Sequence, residues 1–378
     1  MNRIDKDRAD AKTVLVTGAC GVTSRTVVRA LRMSAAFRDT RLVGTDVCTN
    51  PYGLHEGLYA RLYRVPPQTE GAEYRRVIGQ ICEAERIDAA IVIPEPEVLH
   101  WAEHAMPVPA LLPPPRFARL AISKATVFDL LRDTGLVPRH AILSRDAILA
   151  GALEGFGELP LWLRDCGAGS TSGKGAICVH RAAEAVAWMT LNPDTESFMA
   201  SQYLPGRNLA CLLLFDRGQL VKVGCYERLE YFMAKTVISG VTGNISQGRL
   251  INDAAAVAVS RKAVDILCRH SGETMHGLVT VDLRTDALDV PKVTEINLRP
   301  VAAASAFAHV PGANLIEAHL FATFGEPGRA GPLEVTFPPN NRIFRDIDGL
   351  PIYTPDHVLP AIGEWVGNDT KQTTGAFR

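Results

Sequence analysis

The chain has 378 residues, with 40 Lys or Arg against 41 Asp or Glu, a formal net charge of −1 and 21% charged residues. That length allows two or three packed domains, and the near-neutral balance excludes a broad positive field that would draw nucleic acid or an anionic membrane onto the whole surface. Partners must therefore be read from local sites.

No run approaches the roughly 18 consecutive apolar residues of a membrane span, and residues 1–12 are polar where a signal peptide needs an apolar core. A cytoplasmic location is expected. The eight cysteines (Cys20, Cys48, Cys82, Cys166, Cys178, Cys211, Cys225 and Cys268) form no C-x-x-C pair, so reduced core thiols are expected in place of zinc ligands or disulfides.

In chain order, a β-branched run at 13–17 leads into the turn Gly18-Ala19-Cys20-Gly21, and Val27, Val28 and Leu31 then recur at helical spacing. The pattern predicts strand, tight turn and helix. A second strand is expected over 41–45, ending at Asp46, then a helix over 74–85 and a third strand over 89–93 that runs into Pro94-Glu95-Pro96-Glu97. Such alternation implies a parallel, doubly wound, Rossmann-like first domain. The proline-rich stretch 107–115 reads as a linker. Ser123 is suited to cap a helix carrying Val127, Phe128, Leu130 and Leu131, with Gly135 to stop it and Pro138 to bar its continuation.

Strands are then expected over 160–164, 175–179, 197–203, 209–215 and 220–226, a helix over 253–270, and a strand pair over 277–283 and 292–297. Residues 331–378 carry little periodicity. The division expected is 1–115, 116–330 with a lid at about 138–204, and a C-terminal extension, 331–378.

Three clusters carry chemistry. Gly18, Gly21 and Ser24, with Asp46 further on, approximate a dinucleotide-binding turn, but the G-x-G spacing and third glycine are missing. A tight strand-to-helix turn without nucleotide is the preferred reading. The run 167–175 is richer: Gly167, Gly169, Gly173 and Gly175 leave the backbone free to approach phosphates, Ser170, Thr171 and Ser172 add donors, and Lys174 adds charge. It is not a P-loop, because strands flank it on both sides; a plain hairpin connection is the alternative. Third, Glu295, Asn297 and Arg299 alternate along one strand and can face the same way, with Asp282 beside them on the next. Two carboxylates and an amide oxygen are hard ligands suited to magnesium, or manganese, bridging nucleotide phosphates; a solvated polar strand face is the bland alternative.

Lys124 opening a helix, the strand ending at Arg164, the small-residue loop, Ser201-Gln202-Tyr203-Leu204-Pro205-Gly206, Asp282, and Glu295-x-Asn297-x-Arg299 follow one another in an order that resembles the ATP-grasp superfamily, over residues 13–325 and closest to its carbamoyl-phosphate-synthase-like and amino-acid ligase branches. Val43-Gly44-Thr45-Asp46, residues 63–67 and the strand leading to Glu97 resemble that family's preceding domain. The resemblance implies an ATP-dependent carboxylate–amine ligase with ATP and Mg2+ as cofactors. Lys124 and Arg164 would hold phosphates, the 167–175 loop would close over them, and Gln202, Tyr203 and Leu204 would contact adenine with Asn208 near the ribose. Asp282, Glu295 and Asn297 would bind the metal, and Arg299 would face the γ-phosphate.

Three positions depart from the family: Arg164 stands where Lys is usual, and Gln202 and Asn208 where acids are common. Arg228, His276 and Arg284, with the backbone of 239–243, are candidate contacts to small carboxylate and amine substrates. Nothing calls for nucleic acid or a membrane, and a homodimer is compatible with the sequence. A nicotinamide oxidoreductase built on the Gly18 turn, a non-catalytic nucleotide-binding protein, and carboxyphosphate chemistry on bicarbonate are the rival readings.

Overall fold

The computed structural model describes residues 12–47, 50, 52–157, 159–166, 176–346, 360–367 and 374–376. The first sheet begins with four parallel strands, β1 (Thr13–Thr17), β2 (Arg41–Asp46), β3 (Arg61–Arg64) and β4 (Ala89–Ile91), in the order β3-β2-β1-β4. All five residues of β1 are buried, as required of a parallel strand covered on both faces. Helices Val22–Arg32 and Gly71–Glu85 supply part of that cover.

Strand β4 is two residues shorter than the apolar run 89–93, because Ile93 donates its N–H to the Thr17 hydroxyl (3.1 Å) and leaves the ladder. The proline-rich stretch is no free tether. Ala90 donates to the carbonyl of Pro109 at 2.9 Å and bridges Ala110 in parallel, and Pro115 already opens the helix Pro115–Ala121.

Four antiparallel strands follow as a small sheet, β5 (His140–Ser144), β6 (Leu161–Asp165), β7 (Ala176–Val179) and β8 (Ser197–Gln202), ordered β5-β8-β6-β7. Its apolar side, with Leu161, Leu163, Ile177 and Phe198, forms a core cluster of its own with the helix Ala182–Leu191. The residues 167–175 that join β6 to β7 lie outside the described residues.

The central sheet contains β9 (Asn208–Asp216), β10 (Gln219–Tyr231), β11 (Ile245–Ile251), β12 (Gly277–Thr285), β13 (Pro291–Asn297) and the short β14 (Ile343–Phe344), ordered β13-β12-β9-β10-β11-β14 with antiparallel neighbours. Strand β9 is a continuous apolar run because both of its faces are covered. Leu209, Cys211, Leu213 and Phe215 enter one core cluster while Ala210, Leu212 and Leu214 enter another. Each of these clusters also contains residues of β1 and its neighbours, so the first and central sheets share both cores.

The helix Lys124–Leu131 starts where Ser123 accepts from the Thr126 N–H, and Ala254–Ser271 starts in the same way at Asp253. The second ends at Gly272 with φ of +68°. The last strands, β15 (Glu364–Gly367) and β16 (Thr374–Ala376), are not a separate tail: β15 pairs antiparallel with β3 and extends the first sheet.

Candidate functional site

Strand register decides which polar side chains meet. Asp282 of β12 lies opposite Glu295 of β13, and Thr280 opposite Asn297. On the other side of β12, Arg284 lies opposite Asn208 of β9, which in turn lies opposite Arg228 of β10. Side chains two apart on neighbouring strands share a face, and the face carrying these residues opens into two adjoining cavities.

The first cavity, about 900 Å³, lies between the small sheet and the central sheet. Phe128, Pro138, Trp162, Tyr203 and Leu204 give its lining apolar surface, and Lys124, Arg164, Arg284, Asp282 and Glu295 give it charge. Trp162 and Arg164 reach it together because they are two apart on β6. The Arg164 guanidinium sits over the Phe128 ring at 4.9 Å and donates to the Thr294 carbonyl at 3.0 Å. Its Nε, like that of Arg284, is buried without a hydrogen-bond partner. Burial holds the Arg164 charge below its usual stability, with Glu295 opposing. Two orphaned guanidinium donors beside an aromatic wall fit a ligand that is planar at one end and multiply anionic at the other.

The second cavity, about 1080 Å³, shares Arg228, Tyr231, Val241, Asp282 and Glu295 with the first and adds Asn297, Arg299, Glu95 and Arg345. Asp282, Glu295 and Asn297 therefore face one space. Cations already attend the two carboxylates: Arg228 donates to Asp282 at 2.6 Å and Lys124 lies 3.0 Å from Glu295. Burial pushes the Asp282 carboxyl up from the carboxylate range and Glu295 adds to this, while Arg228 pulls the other way. Arg228 itself stays firmly protonated: burial works against its charge, but Asp282, Tyr226 and Tyr231 outweigh it. Asn208 completes the group by accepting from Arg228 at 3.0 Å and donating to the Tyr231 hydroxyl at 2.9 Å.

Among the described residues no three His, Cys, Asp or Glu side chains gather closely enough to hold a metal alone. Two acids and an amide on adjacent strands suit a hard divalent cation whose remaining ligands come from phosphate or water.

Several sequence candidates stand elsewhere. His276 precedes β12 at its far end, roughly 20 Å along the strand from Asp282, where it accepts from the Arg217 N–H and lies 3.5 Å from Asp216. It lines neither cavity. Gln202 is exposed at the mouth of the first cavity, with its N–H given to the Arg139 carbonyl. Gly169, Ser170, Thr171, Ser172, Gly173 and Lys174 lie outside the described residues.

The turn at Gly18 is filled. A Cβ there would come within 2.6 Å of Pro94, and Asp46 accepts from the Cys20 N–H at 2.8 Å. Asp46 lines neither cavity.

The sequence reading did not single out Trp162, Tyr231, Glu95 or Arg345. The i, i+2 relation to Arg164 could have found Trp162. Glu95, two residues before the Glu97 singled out in sequence, faces the second cavity and accepts from the Leu298 N–H at 3.0 Å. Burial raises its pKa, Arg299 opposes this and Glu295 adds to it.

No protein-family model and no curated protein sequence matches the chain. Solved structures do. An L-amino acid ligase from Bacillus licheniformis superposes with a TM-score of 0.57 at 17% identity, over 83% of this chain and 76% of that one. A carboxyaminoimidazole ribonucleotide synthase from Aspergillus clavatus complexed with ATP gives 0.64 at 18% identity, over 86% and 80%. A biotin carboxylase from Campylobacter jejuni, in complex with an ATP analogue, gives 0.58 at 15% identity, over 84% and 72%. At such identities the likeness is one of fold, and the fold is the ATP-grasp fold.

Proposed function

We propose that this chain, folded as an ATP-grasp protein, is an ATP-dependent ligase that activates a carboxylic acid by phosphoryl transfer and passes its acyl group to an amine. The observation that carries this reading is the shared wall between the two cavities. Asp282 and Glu295 face both of them, so a nucleotide on one side and an acid on the other would meet at the same carboxylates.

Elementary chemistry sets the requirement. A free carboxylate is a poor electrophile because oxide is a prohibitive leaving group, whereas phosphate leaves readily from an acyl phosphate. Transfer of the γ-phosphoryl group is chiefly a matter of positioning and charge neutralisation. In the first cavity, Trp162, Tyr203 and Leu204 would enclose the base, and Lys124 and Arg164 would hold phosphate oxygens. Asp282, Glu295 and Asn297 would hold Mg2+, which supplies further neutralisation of the phosphates when bound. Arg299 lines the acid's side of the wall and would stabilise charge on the oxygens that gather there. No side chain need become a covalent nucleophile.

The departures from the usual pattern are compatible with this arrangement. Arg164 keeps a full positive charge with a planar fork, and Asn208 is held between Arg228 and Tyr231, where it offers a polar edge without charge.

The test is ADP release by the purified protein with Mg2+ and ATP, screened over pools of small carboxylic acids with and without amines, and with bicarbonate as a separate arm. Release that needs one acid and one amine is the expected result, and it should fall by at least about a hundredfold in Glu295→Ala and Arg299→Ala. Release dependent on bicarbonate alone would move the assignment to carboxyphosphate chemistry. Near-normal release in either variant would remove these residues from the reaction.

A further inference from the structure

The second cavity is lined by three guanidinium groups, Arg228, Arg299 and Arg345, and three carboxylates, Glu95, Asp282 and Glu295. Arg228 is committed to Asp282, and Lys124 to Glu295. Arg299 favours the charged form of Glu95, whereas Arg345 has no carboxylate within ion-pair distance among the described residues. Arg345 comes from the segment after β14, held in place where its N–H donates to the Ser246 carbonyl at 2.9 Å and its guanidinium to the Ile245 carbonyl at 3.4 Å. Burial disfavours its charge, Tyr226 favours it, and Arg29 and Arg25 add to the strain. A guanidinium kept in such surroundings gains most from an anion.

The facing element points the same way. Val22 and Thr23, at the start of the helix Val22–Arg32, line the cavity opposite the wall of β12 and β13. The cap residue Gly21 offers no side chain to the first amides, and no acidic residue stands in the first turn. Those N–H groups and the positive end of the helix dipole add to the same attraction.

We infer that the acid taken by this cavity carries a second anionic group, a phosphate or another carboxylate, and that Arg345 receives it on the side away from the reacting carboxylate at Arg299. This rests on the reading of the two cavities as nucleotide and acid sites, and it adds a specificity determinant supplied by the C-terminal segment. A monocarboxylate would leave the half-buried Arg345 without a counter-ion, so acids with a second anionic group are favoured.

The experiment titrates the full chain, without nucleotide, with inorganic phosphate, succinate and acetate at matched ionic strength, and follows the thermal midpoint. Phosphate or succinate should raise the midpoint of the wild type, acetate should not, and the apparent affinity should weaken about tenfold in Arg345→Gln. Arg345→Met gives the same comparison should the glutamine variant fold poorly, and Arg345→Lys should retain most of the binding. Which dianion acts more strongly distinguishes phosphate from carboxylate. Absence of any dianion effect in the wild type, or an effect unchanged by loss of Arg345, overturns the inference. A parallel titration with Mg2+ and ADP tests the nucleotide site separately, so a failed ligase assignment and a failed anion site give different results.

Discussion

Glu95 and Glu97 are two residues apart, and the helical turn that begins at Pro94 sends them into different surroundings. Glu95 reaches the second cavity, while Glu97 is buried behind β1, where it accepts from the Tyr74 hydroxyl at 2.5 Å; Tyr74 in turn accepts from the Trp101 indole at 2.9 Å. Burial raises the Glu97 pKa to about 7, Asp46 adds to this, and hydrogen bonds from Tyr74 and Thr17 oppose it. Because the folded pKa exceeds the unfolded one, the folded state binds the extra proton between about pH 4.5 and 7. Stability from this group is therefore full below that window and is lost as pH rises through it, by an amount on the order of 3 kcal/mol. Chemical denaturation between pH 5 and 8 should show Glu97→Gln losing this component of the pH slope and becoming more stable than the wild type at pH 8; parallel slopes for the two proteins would show that Glu97 is ionised throughout. Nothing in the string Pro94-Glu95-Pro96-Glu97 distinguishes the two acids, because their roles depend on which core packs behind β4. The Glu295, Asn297 and Arg299 alternation was legible for the opposite reason, since period two is a local property of a strand. Arg345 was not, because its position is set by the pairing of β14 with β11, nearly a hundred residues earlier in the chain.

Elements followed the same division. Strand β9 could be read from its apolar run, and the helix Ala254–Ser271 was expected over 253–270, one residue off at each end, with Asp253 serving as its cap. Strands β3, β5 and β11 were missed because they mix arginine, serine and glutamine into short segments whose strand form comes from tertiary pairing. The long β10 was read only to Tyr226, and the remainder carries Arg228 and Tyr231, which line both cavities. At its opposite end β10 carries Lys222, a fully buried lysine without a carboxylate partner among the described residues. Its ammonium donates to the carbonyls of Gly312 at 2.6 Å and Pro332 at 2.7 Å, tying the strand to both ends of the segment that contains helix Leu315–Thr323. Lys222→Met would keep most of the side-chain volume and remove both charge-assisted hydrogen bonds, at a cost of about 2 to 4 kcal/mol. Urea unfolding with an unchanged m-value should report that loss; a change below about 0.5 kcal/mol would mean that water replaces the ammonium.

At the scale of the molecule, the three sheets do not stand on equal terms. The first and central sheets are joined through two shared apolar clusters, whereas the small sheet has one of its own and adds Met199 to one of the shared ones, and the first cavity lies between it and the central sheet. The C-terminal residues strengthen the joined part twice, through β14 beside β11 and through β15 beside β3. At the second junction Trp365 is buried, with the Arg61 guanidinium over its ring at 4.1 Å and the Tyr63 ring 6.4 Å away. The sequence gives little warning of this, since a strand of four residues far from its partner leaves no periodic signature. If β15 is part of the cooperative core of the first sheet, Trp365→Ala should lower global stability by about 3 kcal/mol while leaving ADP affinity unchanged, because no residue of 360–367 lines either cavity. A single sharp transition at lower temperature, with normal nucleotide binding, would establish that role. A wild-type midpoint with faster local amide exchange confined to β3 and β15 would show instead that the junction opens independently of the core it covers.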